Sequence, residues 1–279
     1  MTAPLVDAAW LLAHLAEPGL VVLDATLFLP NEGRDAAAEF RAGHIPGARF
    51  FDINAFADPD TDLPHMVPAA GRFARLAGAL GVGHDSFVVC YDQRSLFSAA
   101  RAWWLLRLFG HERVAVLDGG LPAWRAAGGA VETGEPPGAT PAVFRADLRT
   151  ARMRGIGDML DNLDSGRDLV LDARSAGRFD ASVPEPRAGM RGGHIPGARS
   201  LPFTELLTPE QTLLPPDLLR RRLLAAGVDG SRPVVTSCGS GVTACVLTLA
   251  MAVAGLPEGA VYDGSWTEWG GRPDTPVEN

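Results

Sequence analysis

The sequence contains no lysine, so all 25 of its basic residues are arginine. A mechanism that forms a Schiff base on lysine is therefore excluded, and anionic groups must be recognised by guanidinium groups. Positive charge is also scarce relative to negative charge, because the formal net charge is −8. This balance argues against nucleic acid or an anionic membrane surface as a partner.

Cysteine is equally scarce, and its three positions form no CxxC pair: Cys90, Cys238 and Cys245. An odd number of unpaired positions predicts neither a disulfide framework nor a zinc site, and we expect no metal or organic cofactor. The first twenty residues lack a basic region, and polar residues and a proline between positions 14 and 18 interrupt their apolar run. No signal peptide or membrane span is therefore predicted, and we expect a soluble, cytoplasmic protein.

The chain repeats itself. The heptapeptide Gly43–Arg49 recurs without change as Gly193–Arg199, 150 positions later. Val21–Ala25 resembles Leu169–Ala173 at nearly the same offset. Matching landmarks in the same order indicate two copies of one fold.

The repeat predicts a first domain over 1–127, a linker over 128–152 and a second domain over 153–279. Glycine and proline in the linker break periodic structure, and we expect Val143 and Phe144 to anchor it. Within each copy, short apolar runs alternate with helical patterns. Leu169–Leu171 and 233–236 are typical of buried parallel strands, whereas 99–109 and about 242–254 predict helices. The predicted fold class is α/β, with a mainly parallel sheet flanked by helices in each of two tandem domains.

The segment with most chemistry is the loop Cys238–Thr243, which follows a predicted strand and precedes a helix. Gly239 and Gly241 allow several backbone N–H groups to turn toward one point, and the helix N-terminus adds positive potential. Such a cradle favours the thiolate of Cys238 and would hold a persulfide anion on the same sulfur. Cys238 is therefore the predicted nucleophile, whereas Cys90 and Cys245 lie in apolar runs typical of packing residues.

The first copy carries an acid at the corresponding position. Aligning Val88–Asp92 with Val234–Cys238 places Asp92 opposite Cys238. Because a carboxylate cannot carry a transferable sulfur, we expect one inactive copy and one catalytic copy.

These motifs resemble the tandem-domain rhodanese superfamily, and within it the 3-mercaptopyruvate sulfurtransferases. The resemblance covers the whole chain and rests on the paired GHIPGAR segments, on CGSGVTA at 238–244, and on YDGSWTEW at 262–269. It implies two rhodanese-like domains and a sulfurtransferase. Thiosulfate-using relatives carry charged residues directly after the cysteine, whereas this loop has Gly239 and Ser240, as the mercaptopyruvate enzymes do.

The resemblance also implies roles for individual residues. Arg178 and Arg187 would bind the carboxylate and carbonyl of the substrate, which suits the two parallel hydrogen bonds of a guanidinium. Ser240 would move protons at the substrate thiol with the help of His65. The residues expected to contact the substrate are Arg178, Arg187, Gly239, Gly241, Val242, Thr243 and His65.

Asn54 occupies the place where some members have the acid of a Ser-His-Asp relay, so the relay is in question. His44 and His194 occur in both copies, and a turn needed for folding explains them better than catalysis.

The expected reaction carries sulfur from 3-mercaptopyruvate through a Cys238 persulfide to a thiol, thioredoxin or cyanide, and releases pyruvate. The nearest alternative is a thiosulfate:cyanide sulfurtransferase. A cysteine phosphatase would need a longer loop that ends in arginine, and this loop has none. A further alternative is a non-catalytic rhodanese-like binding module, against which the presence of Cys238 argues.

Overall fold

A computed structural model describes residues 3–94, 96–136 and 138–279. Pro137, in the predicted linker, lies outside the described residues. The chain forms two compact units. Two short segments belong to one unit although the residues before and after them in the sequence belong to the other. The first unit comprises Met1–Asp58, Val67–Arg149 and Glu210–Thr212, and the second comprises Pro59–Met66, Thr150–Pro209 and Leu213–Asn279.

The first unit contains a five-stranded parallel sheet with the order β1-β5-β4-β2-β3. Its strands are β1 (Leu5–Val6), β2 (Leu20–Asp24), β3 (Arg49–Phe50), β4 (Phe87–Tyr91) and β5 (Val114–Leu117). Its helices are α1 (Ala8–His14), α2 (Ala36–Ala42), α3 (Ala70–Ala79), α4 (Ala99–Leu108) and α5 (Gly120–Ala126), and a 3₁₀ turn spans Pro30–Glu32.

Helices cover both faces of this sheet. Val22, Val89 and Leu117 pack in one cluster with Leu11 of α1 and Trp124 of α5. Because side chains alternate along a strand, the intervening strand residues point to the opposite face, where they too are buried. A parallel sheet buried on both sides explains why these strands are continuous apolar runs.

The second unit repeats this topology with the order β6-β10-β9-β7-β8, again with parallel pairing throughout. Its strands are β6 (Met153–Arg154), β7 (Leu169–Asp172), β8 (Arg199–Ser200), β9 (Val234–Ser237) and β10 (Ala260–Tyr262). Its helices are α6 (Ile156–Ser165), α7 (Ala176–Phe179), α8 (Pro216–Ala225), α9 (Ala244–Val253) and α10 (Ser265–Trp269), with 3₁₀ turns at Thr150–Arg152 and Phe203–Leu206. The predicted fold class is confirmed.

The predicted helices differ slightly from the observed ones at their ends. The helix predicted over about 242–254 begins at Ala244, because Val242 and Thr243 still belong to the turn after β9. It ends before Gly255, whose φ of +66° suits the residue just beyond a helix. None of the described helices is both long and apolar enough to cross a membrane.

The expectation for the linker is half correct. Phe144 is buried and packs edge-on against Phe73, with ring centroids 5.4 Å apart. Val143 is 75% exposed, so it anchors nothing, and the prediction for that residue was wrong. The two side chains follow each other in an extended segment, so they point to opposite sides and only one of them reaches the core.

His44 and His194 occupy equivalent turns. Each exchanges two backbone hydrogen bonds with a glutamate, His44 with Glu132 and His194 with Glu278. Each ring also stacks on a phenylalanine of its own unit, at centroid distances of 4.2 and 3.7 Å. These contacts agree with a role in folding rather than catalysis.

Candidate active site

Cys238 is the first residue beyond β9, at the carboxyl edge of the second sheet. Asp172 pairs with Ser237 in the second sheet, and Asp24 pairs with Tyr91 in the first. Since Asp24 and Asp172 are equivalent in the repeat, Cys238 and Asp92 are equivalent as well. The edge beyond the carboxyl ends of parallel strands is where open α/β sheets bind ligands.

The start of α10 fixes the backbone at Cys238. The N–H of Cys238 donates to Ser265 Oγ at 3.2 Å, and its carbonyl accepts the N–H of Trp266 at 3.0 Å. The carbonyl of Gly239 accepts both the N–H and the hydroxyl of Thr267. Cys238 as a whole residue is 2% exposed. The sulfur is therefore held at a defined place, largely out of solvent.

Ser265 is a functional candidate that sequence reasoning missed. Its φ is +49°, in the left-handed region that L residues other than glycine rarely adopt. Gly120 takes the equivalent place in the first unit, with φ +54°. In the second copy a serine adopts this strained backbone, and its hydroxyl accepts the N–H of Cys238. The replacement of glycine by serine between the two repeats was the sequence signal that could have identified Ser265.

The loop after Cys238 presents unpaired donors. Four of its backbone N–H groups reach no acceptor in the part of the chain that the structure describes, namely those of Gly239, Ser240, Val242 and Thr243. Gly241, with φ +75°, supplies the left-handed step in this turn. A loop rich in free N–H groups at a helix N-terminus can stabilise an anion.

The equivalent loop of the first unit has an internal anion. The carboxylate of Asp92 accepts four backbone N–H groups, at 2.8 to 3.2 Å: those of Arg94, Leu96, Ser98 and Ala99. Asp92 is fully buried. The same strand–loop–helix geometry therefore binds a negative charge at its centre in one copy and presents a thiol in the other.

Ser240 and His65 lie together. His65 Nδ1 is 2.9 Å from Ser240 Oγ, and both side chains are buried. His65 falls within the sequence-predicted first domain, but its segment Pro59–Met66 belongs to the second unit. Its φ of +64° is unusual for a non-glycine residue and aims the ring at the loop. Asn54 belongs to the first unit, is exposed, and donates its backbone N–H to Asp52.

Arg178 lies against the loop and is held by Glu185. Its Nε and Nη2 donate to the two oxygens of Glu185 at 3.0 and 2.5 Å. A Cβ placed on Gly239 would be only 3.0 Å from Arg178 Nη2, so glycine at 239 is what lets this guanidinium approach. The bidentate pair uses one edge of Arg178, and the Nη1–Nη2 edge is left to bind a carboxylate.

Arg187 is a second cation near the sulfur. Burial lowers the pKa of its guanidinium; the charges of Cys238 and Glu185 act in the opposite direction, and Arg178 lowers it further. Arg187 and Glu185 line a cavity of about 530 Å³. No hydrogen bond holds Arg187 among the described residues, so its donors are available to a ligand.

A buried arginine that sequence reasoning missed supports Glu185. Arg174 has no exposed side-chain surface, and its Nη1 donates to Glu185 Oε1 at 2.8 Å. Its Nε and Nη2 bind both oxygens of Asp172, the last residue of β7. Burial alone would lower the pKa of Arg174, but the charges of Asp172 and Glu185 outweigh it and raise that pKa.

The other two cysteines have packing environments. Cys90 is fully buried in β4, and burial raises the pKa of its thiol far above the usual range. Cys245 lies inside α9, and its Sγ donates to the carbonyl of Gly241 at 3.2 Å. One thiol lies inside the first sheet and the other donates to a loop carbonyl, which leaves Cys238 as the candidate nucleophile.

Comparison with known proteins gives consistent matches over almost the whole chain. The family model for the rhodanese-like domain matches residues 7–127 and 156–272. The 3-mercaptopyruvate sulfurtransferase of Rattus norvegicus is 45% identical over 271 residues, 95% of this chain and 91% of that protein. The thiosulfate sulfurtransferase of Cricetulus griseus is 40% identical over 272 residues, 95% of this chain and 91% of its own. The crystal structure of SseA, a 3-mercaptopyruvate sulfotransferase of Escherichia coli, aligns with a TM-score of 0.86 at 40% identity, covering 95% of this chain and 99% of that one.

Proposed function

This chain belongs to the family of rhodanese-like domains and carries two of them, and on that premise we propose that it moves sulfur from 3-mercaptopyruvate, through a persulfide on Cys238, to an acceptor. One observation carries the proposal. Cys238 begins a loop in which four N–H groups reach no acceptor among the described residues, and Arg178 and Arg187 lie beside that loop. Several relatives of this chain bear the name of this activity.

Binding comes first. The carboxylate and carbonyl of 3-mercaptopyruvate bind the free edge of Arg178 and the guanidinium of Arg187, because both offer paired N–H donors. This orientation directs the substrate sulfur toward Cys238. The small residues Gly239 and Gly241 leave the loop N–H groups accessible around the sulfur.

Sulfur transfer follows in one displacement. The thiolate of Cys238 attacks the substrate sulfur, the new S–S bond forms, and the C–S bond breaks. The electron pair of the C–S bond leaves with the carbon fragment as the enolate of pyruvate. The proton of the transferred S–H passes through Ser240 and His65 to the enolate carbon, which gives pyruvate and a Cys238 persulfide anion. The loop N–H groups stabilise that anion as they would the thiolate.

The second half returns the enzyme to its starting state. A thiol, thioredoxin or cyanide takes the outer sulfur, and Cys238 leaves as thiolate. None of the three cysteines, all of which the structure describes, forms a disulfide, which suits a reducing, cytoplasmic setting. A redox protein such as thioredoxin is proposed as an acceptor because its exposed thiolate can attack the outer sulfur.

Thiosulfate is the alternative donor, since one relative is named for it. Two features favour mercaptopyruvate. The residue after Cys238 is glycine, so the loop adds no cation for a dianion, and Arg178 is already paired with Glu185. The test is steady-state kinetics with each donor and cyanide as acceptor. We expect a higher kcat/KM for 3-mercaptopyruvate, with pyruvate as product; a higher value for thiosulfate would overturn the choice of donor.

A further inference from the structure

The active-site arginines of the second unit are supported by a chain of charges that runs back to the sheet. Asp172 at the end of β7 binds Arg174, which binds Glu185. Glu185 in turn binds Arg178 at the loop. The side chain of Glu185 is 4% exposed, and those of Asp172 and Arg174 are 2% and 0% exposed. A charge buried to this degree persists only when it is paired.

Arg174 is held from several sides. Beyond the two carboxylates, its Nη2 donates to the carbonyl of Gly193 at 2.8 Å. Its guanidinium lies over the ring of Trp266, 4.3 Å from the ring centroid. An arginine fixed at both nitrogen edges and at its face has one orientation, so it fixes the position of Glu185 in turn.

The described residues of the first unit form no equivalent chain. Its matching stretch is Asp24-Ala25-Thr26, against Asp172-Ala173-Arg174 in the second unit. Asp24 accepts the N–H and hydroxyl of Thr26 and the amide of Gln93, and none of the arginines that the structure describes leads from it toward the loop. The charge chain is therefore not required by the fold, because the other copy forms the same sheet without it.

We propose that Glu185 is a specificity-determining residue that sets the charge of the donor the site accepts. Two carboxylates and three guanidinium groups leave the cluster of Asp172, Arg174, Glu185, Arg178 and Arg187 with one net positive charge. That charge matches a donor with a single carboxylate. A dianion such as thiosulfate would bring one uncompensated negative charge beside the buried Cys238.

This inference rests on the proposed function and refines it. Neutralising Glu185 would leave two net positive charges beside Cys238, which favours the dianion. Glu185 itself contacts Arg178 rather than the donor, so it acts by positioning that arginine and by its charge.

The test compares donors in three variants. Glu185→Gln keeps the size of the side chain and removes its charge, and we expect the ratio of kcat/KM for thiosulfate to that for 3-mercaptopyruvate to rise about tenfold. The change should lie in KM rather than kcat, because it alters binding. Glu185→Asp keeps the charge and should restore a ratio near that of the wild type, which a loss of packing alone would not do.

The matched control is Glu258→Gln. Glu258 forms a half-buried pair with Arg152 at 2.6 Å and precedes β10, so it lies at the opposite edge of the same sheet. Its loss should leave the donor ratio unchanged. A folded Glu185→Gln enzyme whose ratio stays within about twofold of the wild type overturns the proposal, since that difference corresponds to only about 0.4 kcal/mol.

If Glu185→Gln does not fold, the same ratio of kcat/KM for the two donors is measured in Ala188→Arg, and a ratio that stays near the wild-type value overturns the proposal. Ala188 is exposed and lines the cavity with Arg187, so the new arginine adds a positive charge without touching the buried chain. These measurements distinguish a failure of the proposed function from a failure of the role proposed for Glu185. Absence of a Cys238 persulfide with either donor contradicts the proposed function, whereas an unchanged ratio in an active enzyme contradicts only the role of Glu185.

Discussion

Asp92 and Cys238 occupy equivalent positions in the two sheets. Asp92 is the first residue after β4, whose last residue pairs with Asp24, and Cys238 is the first residue after β9, whose last residue pairs with Asp172. One is a carboxylate with four backbone N–H donors, and the other is a thiol at a loop in which four N–H groups have no acceptor within the described parts of the chain. The first copy therefore shows that this loop geometry can surround a carboxylate with N–H donors. It also indicates why an anion on Cys238 would be stabilised.

Asp92→Asn should weaken the fold without touching the chemistry. The amide replaces one acceptor oxygen by a donor that faces buried N–H groups, so we expect a loss of about 2–4 kcal/mol in the free energy of unfolding. Urea denaturation measures it, with Asp52→Asn as control, because Asp52 accepts a single N–H in an exposed hydrogen bond. Persulfide formation per folded molecule should be unchanged. A folded Asp92→Asn enzyme without persulfide would show that the first loop takes part in catalysis.

Ser240→Ala should lower kcat for 3-mercaptopyruvate by about 100-fold and leave KM nearly unchanged, because the serine moves a proton rather than binding the donor. His65→Gln should have a similar effect, and the double variant should be no slower than either single one, since the two side chains form one hydrogen-bonded pair. Ser165→Ala, at an exposed serine that ends α6 in the same unit, is the control. Additive losses in the double variant would show that the pair does not act as a unit.

Ser265→Gly should show whether the hydroxyl of Ser265 positions Cys238, because it removes the hydroxyl and relieves the backbone strain at the same residue. Glycine accepts the left-handed backbone at this position, as Gly120 does in the first unit, so stability should change by less than about 1 kcal/mol. The hydrogen bond to the N–H of Cys238 is lost, and we expect kcat/KM to fall about tenfold as the sulfur becomes less well positioned. The reciprocal Gly120→Ser should leave kinetics unaffected. Wild-type kinetics in Ser265→Gly would exclude a positioning role for the hydroxyl.

Asp24 predicts a pH dependence of stability. Burial raises the pKa of this carboxyl, although hydrogen bonds from Thr26 and Gln93 oppose the shift. The folded state thus binds the proton more tightly than the unfolded state, so the contribution of Asp24 is present below its unfolded pKa and is lost as pH rises through the folded value. In Asp24→Asn that loss is absent. Denaturation of both proteins between about pH 3 and 7 should show the variant gaining stability relative to the wild type as pH rises; a flat difference would contradict the shift.

The sequence predicted the sheets, which the structure confirms, and it led to the proposal of Cys238 as nucleophile, because both leave local signals. Buried parallel strands are short apolar runs, and the repeat aligned Asp92 with Cys238, which the strand register reproduces. The pairing of Ser240 with His65 joins residues 175 positions apart, and only the family resemblance suggested it. Such contacts depend on how a loop crosses to another part of the fold, which no local pattern encodes.

The buried charges were missed for a related reason. Arginine is exposed in most proteins, so nothing in the sequence around Arg174 or Glu185 indicated that both are buried. Comparison of the two copies held the relevant signal, since Thr26 stands opposite Arg174. Such a difference between the two copies points to function, because the fold alone does not require it.

The most direct test of the account is the intact mass of the protein after treatment with 3-mercaptopyruvate and removal of the excess donor. The wild type should gain the mass of one sulfur atom and lose it on addition of a thiol or cyanide. Cys245→Ala should behave as the wild type does, because Cys245 is buried within α9. Cys238→Ser should gain nothing. An adduct that persists in Cys238→Ser, or no adduct in the wild type, would contradict the central claim that Cys238 carries the transferred sulfur.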